Sequence, residues 1–260
     1  KKIFLYYKTN SNHIMPFTFS HPSILIPLFY ISNKWISITG LIIGSLIPDF
    51  EYFIRMQIIS KYSHSIYGVF WFDLPLCLIL AYVFHDIVRN PLINNLPRPL
   101  FQIFSNYNSF NWDQYLTKNW FIVIISILIG AFSHIFWDSF THNNGFFVQR
   151  YKIFSNTVTI LHLDIPIYKV LQHSSTIVGA IFIAYFTFKL PKSKTTKRNF
   201  NSNYWLLFIF ISLLIIFARI YFGLNPKQYG NLIVTAISAS LISLIIIPFL
   251  LRKNKNTNTL

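Results

Sequence analysis

The sequence predicts an all-α polytopic integral membrane protein, a helical bundle of about five to six membrane elements, on three observations. The chain is 53% hydrophobic and 11% charged, with a mean hydropathy of +0.48; a soluble domain carries about 25% charged residues. Apolar runs of roughly 20 residues, enough for a ~30 Å hydrocarbon core, recur along it. The Lys and Arg residues behind the formal charge of +15 lie mostly between those runs, as orientation signals and lipid contacts do.

Met15 reads as the true start, with residues 1–14 an N-terminal extension that carries no small-residue cleavage site after an apolar stretch. The first membrane element is compound. Residues 23–32 are apolar, Asn33-Lys34 interrupt them, and residues 35–47 resume up to Pro48-Asp49. Each half is too short to cross alone, so the element is either one long interrupted helix or a re-entrant hairpin. Further spans follow over residues 66–88, 119–141, 174–190, 204–222 and 230–251, with long polar or mixed connections over 89–118 and 142–172. The organisation expected is an extension (1–14), a membrane domain (15–190) and a C-terminal two-helix hairpin with a basic tail (191–260). His85, Asp86 and Arg89 read as a snorkelling cluster at the inner end of the 66–88 span.

Basic residues set the orientation. Lys189, Lys192, Lys194, Lys197 and Arg198, the tail residues Arg252, Lys253 and Lys255, and Arg89, Arg98 and Lys118 fall on one side, which is read as cytoplasmic. Asp49, His64, His134, Asp138, His142 and His173 then all come to the non-cytoplasmic face, with His21 among them if the first element is a hairpin. A chain with seven acidic residues that keeps Asp49, Glu51, Asp73 and Asp138 in or beside apolar segments marks them as functional, because an intramembrane carboxylate is costly.

His134, Asp138 and His142 stand at i, i+4 and i+8, on one helical stripe. A His–Asp pair one turn apart can chelate a divalent ion, zinc ahead of manganese or magnesium, or else form a buried hydrogen-bonded pair between helices. Pro48-Asp49-Phe50-Glu51 ends the first element with two acids, and Ser63-His64-Ser65 opens the next. Asp73 lies roughly 13 Å along the helix from His64 and His134 about 10 Å below the end of its own span. The two can therefore share a depth, with Asp73 as a partner for a ligand histidine or a ligand itself. Glu51 or Asp49 would take a proton from an attacking water, and His173 would contact substrate or act as an acid. The single cysteine, Cys77, excludes an intrachain disulfide and Cys₄ zinc sites. No basic helix with interleaved aromatics lies outside the spans, which argues against nucleic acid.

Several strings carry a resemblance: Met15-Pro16-Phe17-Thr18-Phe19-Ser20-His21-Pro22, Gly44-Ser45-x-x-Pro48-Asp49-Phe50-Glu51-Tyr52-Phe53, Phe72-Asp73-Leu74-Pro75, Ser133-His134-x-x-Trp137-Asp138-Ser139-Phe140-Thr141-His142 and Leu171-Gln172-His173. Together, over about residues 15–190, they resemble the bacterial membrane family catalogued as domain-of-unknown-function family 4184. More distantly, the order His, Pro-Asp, His-Ser, His-x-x-x-Asp is similar to that of LexA-regulated membrane-bound metal-dependent hydrolases. That second resemblance implies His21, Asp49, His64, His134 and Asp138 as metal ligands.

The expectation is a hydrolase of a lipid or lipid-linked (phospho)ester in the bacterial cytoplasmic membrane, with its site near the non-cytoplasmic face. Its cofactor would be a divalent metal and its partners membrane lipids; no protein partner is inferable. The alternatives are a proton- or ion-coupled transporter or relay, and a non-catalytic membrane scaffold.

Overall fold

A computed structural model describes residues 18–31, 34–195 and 198–253, so the expected extension over 1–14 lies outside the described residues. Two compact units emerge, one from the described parts of Pro16–Phe50 and Ser60–Asn199, the other from Glu51–Ile59 and the described part of Phe200–Leu260. Five helices among the described residues are long and apolar enough to cross a membrane. Most of their side chains are not covered by protein: in the windows over Ile167–Lys189 and Asn203–Tyr221 only 11% are buried, as lipid-facing helices require. The chain is a polytopic helical membrane protein.

The first unit opens with α1 (Thr18–Tyr30), wound throughout as a 3-10 helix with Pro22 and Pro27 inside it. After a short turn, α2 (Ile38–Leu46) starts at Ser37, whose hydroxyl accepts from the Gly40 amide, and runs into a 3-10 turn over Ile47–Asp49. The Thr18 hydroxyl donates to Asp49 Oδ2 at 2.5 Å. The start of α1 and the end of α2 are therefore side by side, and the compound first element is a helical hairpin.

Next comes α3 (Ile66–Asn95), with two π-turns, Val69–Asp73 and Val83–Val88. Pro75 removes a donor from the helical ladder, and in the turn ahead of it the Leu74 amide reaches back to Val69 O. A short α4 (Arg98–Phe104) leads to α5 (Trp112–Thr141), which departs from helical geometry at Asn119. The expected start of that span thus falls on a break inside a longer helix. Beyond it lie α6 (Phe146–Arg150), an antiparallel hairpin of β1 (Thr157–Ile160) and β2 (Leu163–Pro166), and α7 (Ile167–Lys189).

Packing between α2 and α5 sets the frame of the unit. Gly40 and Gly44, one turn apart on α2, lie against α5 at Val123, Ser126 and Ile127, and Gly130 of α5 lies against Leu41, Gly44 and Ser45, a small-residue seam of the kind that lets membrane helices approach closely. A Cβ at Gly130 would stand 2.6 Å from Leu41 O and 2.7 Å from the Ser45 amide nitrogen. Ile47, Val69, Cys77, Trp112, Val123, Ile127 and Ala131 form the buried cluster around this seam.

A bolt of polar groups closes the end where α2 and α5 begin. His85 stacks on Trp112 with ring centroids 4.8 Å apart, and its Nε2 and Nδ1 lie 3.1 Å from Thr39 Oγ1 and 2.9 Å from Arg89 Nη1. Arg89 is buried, not snorkelling, because it donates inward to His85, to Asn90 Oδ1 and to Asn108 O.

In the second unit, α8 (Asn203–Tyr221) and α9 (Tyr229–Lys253) pair through buried Ser212 and Ser243, whose hydroxyls are 2.9 Å apart. Residues 51–59 join them: Ser238 Oγ donates to Phe53 O at 2.7 Å, and Asn231 Oδ1 accepts from the Ile58 amide at 2.9 Å.

Candidate metal centre

Three elements of the first unit deliver carboxylates and imidazoles to one point. The 3-10 turn after α2 presents Asp49, buried at the end of an apolar helix. The loop before α3 presents His64, and its fold depends on Gly68: a Cβ there would lie 1.8 Å from Tyr62 O. Only a residue without a side chain lets the 60–65 loop lie over the first turn of α3, where the Ser65 hydroxyl accepts from the Gly68 amide at 3.0 Å. The last two turns of α5 present His134 and Asp138.

Four atoms form a closed ring. His64 Nε2 is 3.4 Å from Asp49 Oδ1 and 3.5 Å from Asp138 Oδ2, and His134 Nε2 is 3.5 Å and 3.2 Å from the same two oxygens. All four atoms lie within 4.8 Å of one another, and the group could hold a metal ion. Zinc binds nitrogen and oxygen ligands at about 2.0–2.2 Å in tetrahedral geometry, which separates neighbouring ligand atoms by ~3.4 Å. The four edges of the ring match that separation, and its two diagonals stay within 4.8 Å.

For Asp49, His64 and His134 the atom outside the ring has a hydrogen-bond partner of its own, whereas buried Asp138 Oδ1 has none. His134 Nδ1 lies 2.7 Å from the Ser45 carbonyl, which can only accept, so Nδ1 carries the proton. In the neutral imidazole, Nε2 of His134 then carries a lone pair, fully buried, with no hydrogen-bond partner and with two carboxylates facing it. A lone pair against carboxylate oxygens at 3.2–3.5 Å is unfavourable unless a proton or cation stands between them. That orphaned nitrogen is the fit test for a metal, and the donor set passes it.

His64 Nδ1 lies 3.1 Å from Ser63 Oγ and 3.2 Å from Ser60 Oγ. Burial alone would lower the pKa of this imidazole, but hydrogen bonding to Asp138 and Asp49 outweighs burial and raises it to about 9. Without a cation, a proton on His64 thus offsets part of the carboxylate charge.

Asp49 Oδ2 takes the bond from Thr18, and Asp138 Oδ1 faces His142 Nδ1 at 3.4 Å and His21 Nε2 at 3.7 Å. Outer partners of this kind orient metal ligands and are each worth about 10–100-fold in affinity. Thr18→Val is therefore expected to weaken zinc binding about 10–100-fold while Thr18→Ser preserves it, measured by competition with a fluorescent chelator.

Of the six residues expected as ligands, Asp49, His64, His134 and Asp138 contribute the ring. His21 and His142 stand against Asp138 from outside it. The hairpin brings His21 to the site, where it stacks on His134 with centroids 3.8 Å apart. His142 sits at the rim, its side chain 35% exposed, with Nε2 3.4 Å from Gln172 Nε2.

The three residues expected in catalytic roles are not among the four ring residues. Asp73 is fully buried at the end of the first π-turn of α3, and the second nitrogen of His134 is engaged by Ser45 O. His173 is exposed, while its neighbour Gln172 is buried and turned to the site. Glu51 is buried in the second unit, where its Oε1 accepts from both Nε and Nη2 of Arg55 at 2.8 Å. Thr18, Ser45 and Gln172 lay within the quoted sequence strings without being singled out as site residues.

Fold and site thus define a polytopic membrane protein with a buried Asp₂His₂ cluster able to hold a metal. A family model described as Domain of unknown function (DUF4184) matches residues 15–249, and the chain belongs to that family. The match includes the C-terminal helix pair, which the sequence strings did not reach. No curated protein and no solved structure matches the chain.

Proposed function

We propose that the protein is a membrane-bound metal-dependent hydrolase of a lipid or lipid-linked phosphoester, with Asp49, His64, His134 and Asp138 holding zinc near the non-cytoplasmic face. The observation that carries the reading is the ring of four ligand atoms with the orphaned His134 Nε2. A bound divalent cation supplies Lewis-acid activation of water and of an ester oxygen.

The chain's own residues supply the rest. Ser45 O and Thr18 Oγ1 fix the orientation of His134 and Asp49, so the ligand atoms are set before binding. His21 covers the face of His134 and keeps water from that side. Entry is from the side of His64 and His142, whose side chains are 23% and 35% exposed. His142 is the group placed to move a proton: Asp138 Oδ1 can accept from its Nδ1, which leaves Nε2, 3.4 Å from the Gln172 amide nitrogen, to exchange a proton at the rim. Exposed Arg150 and Lys152, in the segment that follows His142, and Lys169, one turn before Gln172, favour an anionic headgroup.

The test is phosphate release by zinc-loaded protein in nanodiscs containing phosphatidic acid or a short polyprenyl phosphate. Chelation or the His134→Ala, Asp138→Ala double substitution should abolish turnover, and His142→Ala should lower kcat about 10²–10⁴-fold, the usual range for an acid–base group. Turnover no higher than that of the double variant on either lipid would refute the hydrolase. Proton-driven uptake into proteoliposomes without metal would support the transporter instead.

A further inference from the structure

The connection between α5 and α7 contains a device that the metal site does not use. In the β1–β2 hairpin, Val158 lies opposite Ile165 and Ile160 opposite Leu163 on one face; Thr157 lies opposite Pro166 and Thr159 opposite Asp164 on the other. Thr159 Oγ1 donates to Asp164 Oδ1 at 2.7 Å, so the polar face occupies its own acid. The apolar face and tip are bare: Ile160 is 40% exposed, Leu163 65% and Leu161 89%.

The turn itself points the same way. Leu161 and His162 both have positive φ, 49° and 66°. A two-residue turn with this backbone strongly favours Asn-Gly or similar pairs, and a large aliphatic residue in the left-handed region is strained. A leucine held in a strained conformation at the most exposed point of a hairpin serves neither turn nor core.

What covers it follows from the surroundings. The hairpin connects two membrane-crossing helices, and Pro166 lies about 9 Å of helical rise before Gln172 at the rim, so its base is at the membrane boundary. Arg150, Lys152 and Lys169 flank it, and their charge complements anionic headgroups.

We propose that the β1–β2 hairpin is an interfacial anchor: Val158, Ile160, Leu161 and Leu163 enter the leaflet on the site's side, and the flanking basic residues hold anionic headgroups. The anchor sets the rim of the site at headgroup level. This assignment is independent of the metal.

The experiment uses full-length protein in a Cys77→Ala background, with Leu161→Cys or Thr159→Cys labelled by the fluorophore NBD. Both are reconstituted into phosphatidylethanolamine–phosphatidylglycerol vesicles. Label at 161 is expected to emit at shorter wavelength, to be quenched several-fold more by shallow doxyl lipid than label at 159, and to resist iodide. Replacing phosphatidylglycerol with phosphatidylcholine should reduce the doxyl quenching. Equal iodide quenching at both positions would overturn the anchor, as would shielding of 161 from both quenchers, which would mean a protein surface such as a second copy covers it. Doxyl quenching indifferent to phosphatidylglycerol would overturn the headgroup contact.

Discussion

Protein purified in mild detergent and loaded with zinc is expected to retain close to one ion per chain through desalting, and the Asp138→Ala and His134→Ala variants to retain none. Outer partners alone are worth about 10–100-fold, so loss of a ligand should weaken binding by more than about a hundred-fold. Asp138 should be the most sensitive position. Its Oδ2 faces His64 and His134 in the ring, and its Oδ1 faces His142 and His21, so one substitution disturbs four imidazoles. Asp138→Asn keeps the shape and removes the charge; it should lose metal as fully as Asp138→Ala if charge is what holds the cation. His173→Ala should retain its zinc, because His173 is exposed. Binding to the native state alone stabilises it by about 4 kcal/mol at a thousand-fold excess over Kd, so zinc should raise the Tm of the wild type and not of the ligand variants. Zinc retained by the Asp138→Ala, His134→Ala double variant would place the metal elsewhere. Chain without zinc affinity would leave the cluster as a proton-bridged helix contact.

The long spans were legible because hydropathy over a bilayer's thickness is a local property. So was the stripe of His134, Asp138 and His142, since helical periodicity alone puts i and i+4 together. Whether the first element crossed or returned was not legible: periodicity gives the halves and not their sense, and the answer rests on the Thr18–Asp49 bond between residues distant in sequence. The partner of His134 was illegible for another reason. A backbone carbonyl such as Ser45 O has no residue type of its own, so the sequence offered Asp73 in its place. On α7 the difference is one of angle: adjacent helical residues point about 100° apart, so Gln172 faces His142 while His173 is exposed. The β-hairpin escaped because Leu161-His162 occupy a turn that sequence reading finds by Asn-Gly. Gly40-x-x-x-Gly44 was present as a motif, and its meaning depends on Val123, Ile127 and Gly130 far along the chain.

That glycine seam gives the second large effect. Gly130→Ala is expected both to destabilise the protein by about 1–3 kcal/mol, the usual range for overpacking, and to reduce zinc affinity about 10–100-fold. The added Cβ would meet Leu41 O and the Ser45 amide nitrogen at 2.6 and 2.7 Å. Both are backbone atoms, so α2 itself must move away from α5. The His134–Ser45 contact, 2.7 Å long, crosses that same seam and lengthens with it. Once Nδ1 loses its acceptor, the ring is free to turn, and Nε2 no longer points into the ring of ligands. Ser133→Ala is the control: its hydroxyl bonds only to Gly130 O within α5, at 2.7 Å, and its loss should leave zinc binding unchanged. The two readouts separate the causes. A lower Tm with undiminished zinc affinity would mean that the seam supports the fold without orienting His134. A parallel fall in both would tie the close approach of two helices to the chemistry at their end.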